Sequence, residues 1–281
     1  MSIQFKTSAE DGQTSLRHLS QFFIIIVSIS VPFWVVGFLL RDTRLPLDIP
    51  VTDIFAAMAP LVAAAILTYR SSGWRGVKRL CARIGDVHKV KPAWWVVIFG
   101  LPLVIFGIIY ASLQFLGYPI PTGATVSLLA VVTLAIFFYL GGVFEEVGYT
   151  GYATDPLERA FGPVRTALII GTFWSLWHVP SMLVQGRAWP WIVWGVLGTL
   201  AFRFIYVWLY NSTGASLAAV ICMHMIYNLG RALFPHAADS SALVLYPEVH
   251  YGAIIVLAII FVGVMAMTRK PASAASSSTS F

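Results

Sequence analysis

Residues 124–152 read ATVSLLAVVTLAIFFYLGGVFEEVGYTGY, an apolar run that ends in two adjacent carboxylates, Glu145 and Glu146. About twenty residues of helix cross the hydrocarbon core of a bilayer, so this run is long enough to span a membrane. A charged side chain inside such a helix costs at least about 2.5–3.5 kcal/mol, which makes each intramembrane ionisable residue a functional hypothesis.

Similar runs occur at about 19–40, 51–69, 93–117, 124–151, 164–186, 189–210, 213–233 and 250–268. They fit a chain of 281 residues that is 58% hydrophobic and only 11% charged, with a mean hydropathy of +0.81. So few charges cannot coat a soluble core, and a soluble enzyme is excluded. No run alternates in the manner of a β-barrel strand. The expected fold is all-α, a polytopic membrane helix bundle with about eight transmembrane helices. Residues 1–18 would form an N-terminal cytoplasmic segment, 19–270 a single membrane domain, and 271–281 a disordered Ser-rich tail. The first residues lack the basic stretch of a cleavable signal peptide.

The net charge of +6 is read by position, not as a sign of nucleic acid. With the N-terminus inside, Lys6, Arg17, Arg70, Arg75, Lys78, Arg79, Arg83, Lys89, Lys91, Arg159, Arg165, Arg269 and Lys270 all face the cytoplasm. Only Arg41, Arg44 and Arg187 fall outside. That bias supports a multi-pass protein with both termini cytoplasmic. The basic segment 70–91 is the one sizeable inner loop; it chiefly obeys the inside-positive bias, and it could anchor on anionic lipid. Cys81 and Cys222 lie in different environments and read as unpaired structural thiols.

Few polar residues interrupt the spans. Beside Glu145 and Glu146 stand His178 in VRTALIIGTFWSLWHVP, His224 and Asn228 in TGASLAAVICMHMIYNLG, Asp53 and Arg203. His224 and Asn228 are four apart and share a helix face. Adjacent Glu145 and Glu146 point about 100° apart, so one can face a reaction centre while the other orients a neighbouring helix. Counted at 1.5 Å per residue, His178 and His224 lie about 17–20 Å from the inner ends of their helices, and Glu145 about 10 Å from its own. One site in the inner half of the bilayer would accommodate all of them. Asp53 and Arg203 read mainly as structural.

A carboxylate, two imidazoles and a carboxamide suit hydrolysis of an amide by water. The Glu takes a proton from water, His holds that water or shuttles the proton, and the Asn N–H donates to the oxyanion. The same groups could bind zinc through Glu145, His178 and His224, or relay protons in a transporter, although no repeated halves are visible. There is no HExxH or GxSxG, and the one Gly-Asp pair, Gly85-Asp86, lies in the basic loop.

These residues resemble the motifs of the CPBP family, which includes type II CAAX prenyl endopeptidases and the Abi proteins of bacteriocin processing and immunity. The family pattern is EExxxR, FxxxH and HxxxN or HxxxD on separate helices. Here it is matched by Glu145-Glu146, by WSLWH ending at His178, and by HMIYN from His224 to Asn228, within a core of about 125–235. The resemblance implies a glutamate-dependent intramembrane endopeptidase acting on a peptide or protein substrate, lipidated or not. No cofactor is required in that mechanism, and zinc stays an open alternative. Glu145 would activate water, His178 position it, His224 and Asn228 stabilise the oxyanion, and Glu146 orient the site.

Two departures stand out. Trp174 replaces the family Phe and keeps an aromatic wall. Thr150 replaces the family Arg and removes a cation from beside the carboxylates, for which Arg203 is the candidate replacement. The missing Arg also raises the alternative of a non-proteolytic immunity or interaction protein of the same fold.

Overall fold

A computed structural model describes residues 8–45, 48–121, 125–237 and 240–267 of the chain. The expected tail 271–281 and the start of the N-terminal segment lie outside the described residues. The helices are α1 (Ser8–Leu39), α2 (Asp53–Ala57), α3 (Ala59–Ala82), α4 (Pro92–Phe115), α5 (Leu128–Glu146), α6 (Asp155–Trp177), α7 (Val179–Val184), α8 (Trp189–Ser212), α9 (Leu217–Leu233), α10 (Ala242–Leu245) and α11 (Pro247–Met267). Strand content among the described residues is confined to two hairpins of two-residue strands, Arg44–Leu45 with Ile49–Pro50 and His236–Ala237 with Ser240–Ser241. The all-α expectation therefore holds.

Six helical stretches among the described residues are long and apolar enough to cross a membrane, and Leu217–Leu233 is a shorter apolar helix. The longest stretch, Leu128–Val184, holds two of the expected rods. Gly162 leaves the helical region at φ 75°, a left-handed φ that favours glycine, and Pro163 follows it. The chain reverses there, because Trp174 beyond the break bonds back to Glu145 before it. Gly73 breaks α3 in the same way at φ 61°. The eight expected rods are thus present with shifted boundaries, and the polar stretch from Ser8 already belongs to α1.

Outward faces are apolar. On α5, Leu128, Leu129, Val132, Ile136 and Leu140 are all exposed, as are Val256, Ile259 and Ile260 on α11. Such stripes would be unstable in water and are ordinary against lipid acyl chains, so the chain is an integral, multi-pass membrane protein.

Close helix approaches bring the polar residues together. A Cβ at Gly142 of α5 would lie 3.3 Å from the Ile221 carbonyl oxygen of α9, and one at Gly171 of α6 would lie 3.1 Å from Cβ of Arg203 on α8. Small residues at these crossings let the backbones pack tightly enough for His224 to reach α5 and for Arg203 to reach the same carboxylate. Basic residues also sort by end. Arg17, Arg70 and Arg159 line adjoining crevices at one end. Arg44 and Arg187 share Asp48 in a separate ion-pair group, at 3.6 and 2.8 Å.

Candidate active site

Glu145 and Glu146 end α5 where the chain loosens into a π-helical segment, Val147–Thr154. A π segment inserts extra backbone and turns the following side chains, a deviation often found at functional sites. Both carboxylates are buried, Glu146 completely and Glu145 at 8% exposure.

Glu146 is saturated. Its Oε2 accepts from Thr150 Oγ1 at 2.5 Å and from Arg203 Nη1 at 2.7 Å. Its Oε1 accepts from Arg203 Nη2 at 3.2 Å and from His224 Nδ1 at 3.0 Å. The Arg203 contact is a two-pronged ion pair between fully buried partners, the geometry in which a guanidinium best offsets its own desolvation. Arg203 is also packed on the faces of Trp174, Tyr206 and Tyr149, with its guanidinium carbon 4.3, 5.1 and 5.4 Å from the ring centroids. The expectation that Arg203 stands in for the cation lost at Thr150 is met in the geometry, and Thr150 itself adds a fourth hydrogen bond.

Glu145 is held differently. The indole Nε1 of Trp174 donates to Oε2 at 2.5 Å. Among the described residues, no protein group bonds Oε1. One carboxylate is thus fixed on all sides while its neighbour keeps an oxygen available, the division that the 100° offset of adjacent helical residues predicts.

His178 caps the end of α6, and its Nδ1 lies 2.7 Å from the Trp174 carbonyl oxygen. A carbonyl only accepts, so Nδ1 carries the proton and Nε2 is the nitrogen left for other partners. The same logic applies to His224, whose Nδ1 faces a carboxylate oxygen. Its ring stacks on Tyr206 at 5.6 Å and meets Trp174 edge-on at 5.9 Å. Asn228 lies one turn farther along α9, half-buried, with no bond to the other four residues among the described residues.

Sequence reasoning missed how central Trp174 is. Read as an aromatic wall, it in fact donates to Glu145, accepts from His178, and stacks on Arg203. A Trp at a position where Phe is the family residue was the available signal, since indole adds an N–H that a buried site must satisfy. Asp53, read as structural, accepts from Ser181 Oγ just beyond His178, so it braces α7 and bonds none of the five.

Zinc bound by Glu145, His178 and His224 is not supported by this arrangement. Among the described residues, no three His, Cys, Asp or Glu side chains converge on one point.

Comparison with known proteins agrees with the region the motifs mark. Residues 125–230 match the family model of the type II CAAX prenyl endopeptidase, Rce1-like. The chain is also 28% identical over 196 residues to the CAAX prenyl protease 2 of Methanococcus maripaludis, an alignment covering 65% of this chain and 72% of that relative.

Proposed function

We propose, from the match of residues 125–230 to the model of the Rce1-like family of type II CAAX prenyl endopeptidases, that this chain is a member of that family and cleaves its peptide substrates with water activated by Glu145. The observation that carries this reading is the unequal treatment of the two carboxylates. Glu146 has four hydrogen bonds and no oxygen left to react, whereas Glu145 has one oxygen tethered and one available.

In this mechanism Glu145 Oε1 takes a proton from water while the water oxygen attacks the scissile carbonyl carbon. His178 Nε2 accepts from that water and aims it. Negative charge grows on the carbonyl oxygen, where the Asn228 amide would donate, together with Nε2 of His224 when that ring is an imidazolium carrying both protons against the Glu146 carboxylate. Collapse of the tetrahedral intermediate breaks the C–N bond, and protonated Glu145 returns its proton to the leaving amine. Glu146 never exchanges a proton. It holds His224 by Nδ1 and is itself held by Arg203, so its role is to position. No step runs through a metal.

The substrate follows from the names of the relatives: a peptide carrying a prenylated Cys near its C-terminus. The apolar outer faces around the site suit delivery of a prenyl chain from the bilayer. The non-proteolytic alternative drew its weight from Thr150 in place of Arg, and the cation that Arg203 gives Glu146 supports the proteolytic reading over it.

Purified protein in lipid vesicles, offered quenched CAAX-type peptides with and without a farnesyl group, tests the reading beside Glu145→Ala. We expect the variant to lose about 10²–10⁴ of the turnover. Equal turnover by both proteins would defeat the proposal, and preference for the unfarnesylated peptide would defeat the substrate assignment.

A further inference from the structure

Two adjoining crevices open at the basic end of the bundle, away from the five candidate catalytic residues. One, of 410 Å³, lies between α1 and α3 and is lined by Arg17, His18, Arg70 and Ser71 over a floor that includes buried Leu67. The other, of 300 Å³, shares His18 and Ser71 and adds Arg159 and Asp155 from the start of α6. Asp155 is already engaged, accepting from Tyr210 Oη at 2.7 Å and facing Arg83 at 3.7 Å. None of the guanidinium groups of Arg17, Arg70 and Arg159 makes a hydrogen bond or ion pair with another described residue. Three arginines with no partner among the described residues, and a histidine, therefore line two crevices that share His18 and Ser71.

Their level in the bilayer can be read from their neighbours. Arg70 and Ser71 sit between Tyr69 and Trp74, two outward aromatic rings 58% and 62% exposed that meet edge-on at 6.5 Å. Exposed Tyr and Trp of this kind mark the interface between hydrocarbon and headgroups. At Gly73 the helix breaks, and residues 74–82 continue with Gly76, Val77 and Leu80 buried and Trp74, Arg75, Lys78 and Arg79 exposed. A short helix with one apolar face and a basic outer face beside an aromatic pair is built to lie in that interface.

We infer that this double crevice binds the headgroup of an anionic phospholipid, its phosphate held by Arg17, Arg70 and Arg159 and its glycerol end lying over Leu67. Guanidinium forks match phosphate oxygens in pairs, and the interface is where a bilayer supplies phosphate in abundance. Exposed Arg75, Lys78 and Arg79 contribute only diffuse attraction, since they line neither crevice.

Native mass spectrometry after delipidation and reconstitution with phosphatidylglycerol or phosphatidylcholine tests this directly. The protein should retain phosphatidylglycerol and shed phosphatidylcholine. Arg17→Gln/Arg70→Gln/Arg159→Gln should reduce the retained phosphatidylglycerol at least about tenfold, as expected for the loss of three charged phosphate contacts. Arg75→Gln/Lys78→Gln/Arg79→Gln removes the same charge and should keep retention within about twofold. A melting midpoint for each variant identifies misfolding, and single substitutions replace a triple variant that fails to fold. Equal loss in both triple variants, no loss in the first, or equal retention of the two lipids would each overturn the site. Stabilisation by inorganic phosphate without lipid retention would assign the crevice to a soluble anion and overturn the lipid reading.

Discussion

Arg203 of α8 grips Glu146 of α5 with both terminal nitrogens, at 2.7 and 3.2 Å, in a place from which solvent is excluded on both sides. The cation that the EExxxR pattern places one turn after the Glu pair is here supplied from another helix, and Thr150 at that position is a hydrogen-bond donor. Covering a buried carboxylate from a separate helix also ties α8 to α5, so the pairing of Glu146 is at the same time a packing constraint.

Arg203→Leu should therefore cost both stability and turnover. Removing one partner leaves a buried, unpaired carboxylate, a loss of about 3–5 kcal/mol. Pairing it with Glu146→Leu should recover much of the melting midpoint without restoring cleavage, because apolar groups can replace an ion pair in a core but cannot hold His224. If the single variant melted and cleaved like the parent, the pair would be irrelevant to the site.

The two carboxylates should separate cleanly by isosteric substitution. Glu145→Gln keeps an acceptor for Trp174 and loses only basicity, so turnover should fall about 10²–10⁴-fold with the melting midpoint nearly unchanged. Glu146→Gln instead disturbs four hydrogen bonds and should lower the midpoint as well as activity. Thermal melts run beside the peptide assay distinguish these outcomes, and the reverse pattern would exchange the roles.

Spacing and hydropathy reach some of this and not the rest, for physical reasons. Glu145, Glu146, His178 and His224 stand out because ionisable groups are expensive in apolar helices. The four-residue step to Asn228 is legible because helical periodicity is local. Boundaries were harder to read: Gly162 and Gly73 break helices through a single left-handed residue, which hydropathy does not register. The π segment at 147–154 is invisible in composition. Arg203 was identifiable only as the chemical answer to Thr150, and the donor role of Trp174 depended on a tertiary contact that no local pattern encodes.

That donor role yields a third expectation. Trp174→Phe restores the family residue and keeps the wall, but deletes the N–H that tethers Glu145 Oε2. A hydrogen bond to a charged group is worth about 1.5–3 kcal/mol, so turnover should drop by roughly tenfold or more if the tether aims the base. KM should barely move, since substrate contacts are untouched. A change confined to KM would instead assign Trp174 to substrate binding.

Chelation addresses the metal question independently. With no three candidate ligands converging among the described residues, cleavage should survive prolonged treatment with a strong zinc chelator. Activity lost on chelation and regained with zinc would require Glu145 and the Nε2 atoms of His178 and His224 to converge on one point, and would displace the metal-free mechanism.

Acid sensitivity should begin far from the site, at Asp86. Its carboxylate caps α9: Oδ1 accepts from Ser216 Oγ at 2.8 Å and from the Ala218 N–H at 3.0 Å, while Lys89 lies 2.9 Å from Oδ2. Burial opposes its ionisation, yet the Ala218 amide, the Lys89 ammonium and the Ser216 hydroxyl outweigh that and hold the group below its ordinary value of 3.8. For a carboxyl lowered by folding, the stabilisation is complete above the unfolded value and drains away as pH falls through the folded one. Asp86→Asn should thus lower the melting midpoint at neutral pH, by the equivalent of about 0.5–2 kcal/mol for a weakened helix cap. The gap to the parent should then narrow steadily below about pH 4. Because α9 carries His224 two turns beyond this cap, the variant should also lose turnover at neutral pH while leaving the shape of the activity profile intact. A gap in midpoint that stays constant down to about pH 3 would mean that the carboxylate charge contributes nothing to holding α9 in place.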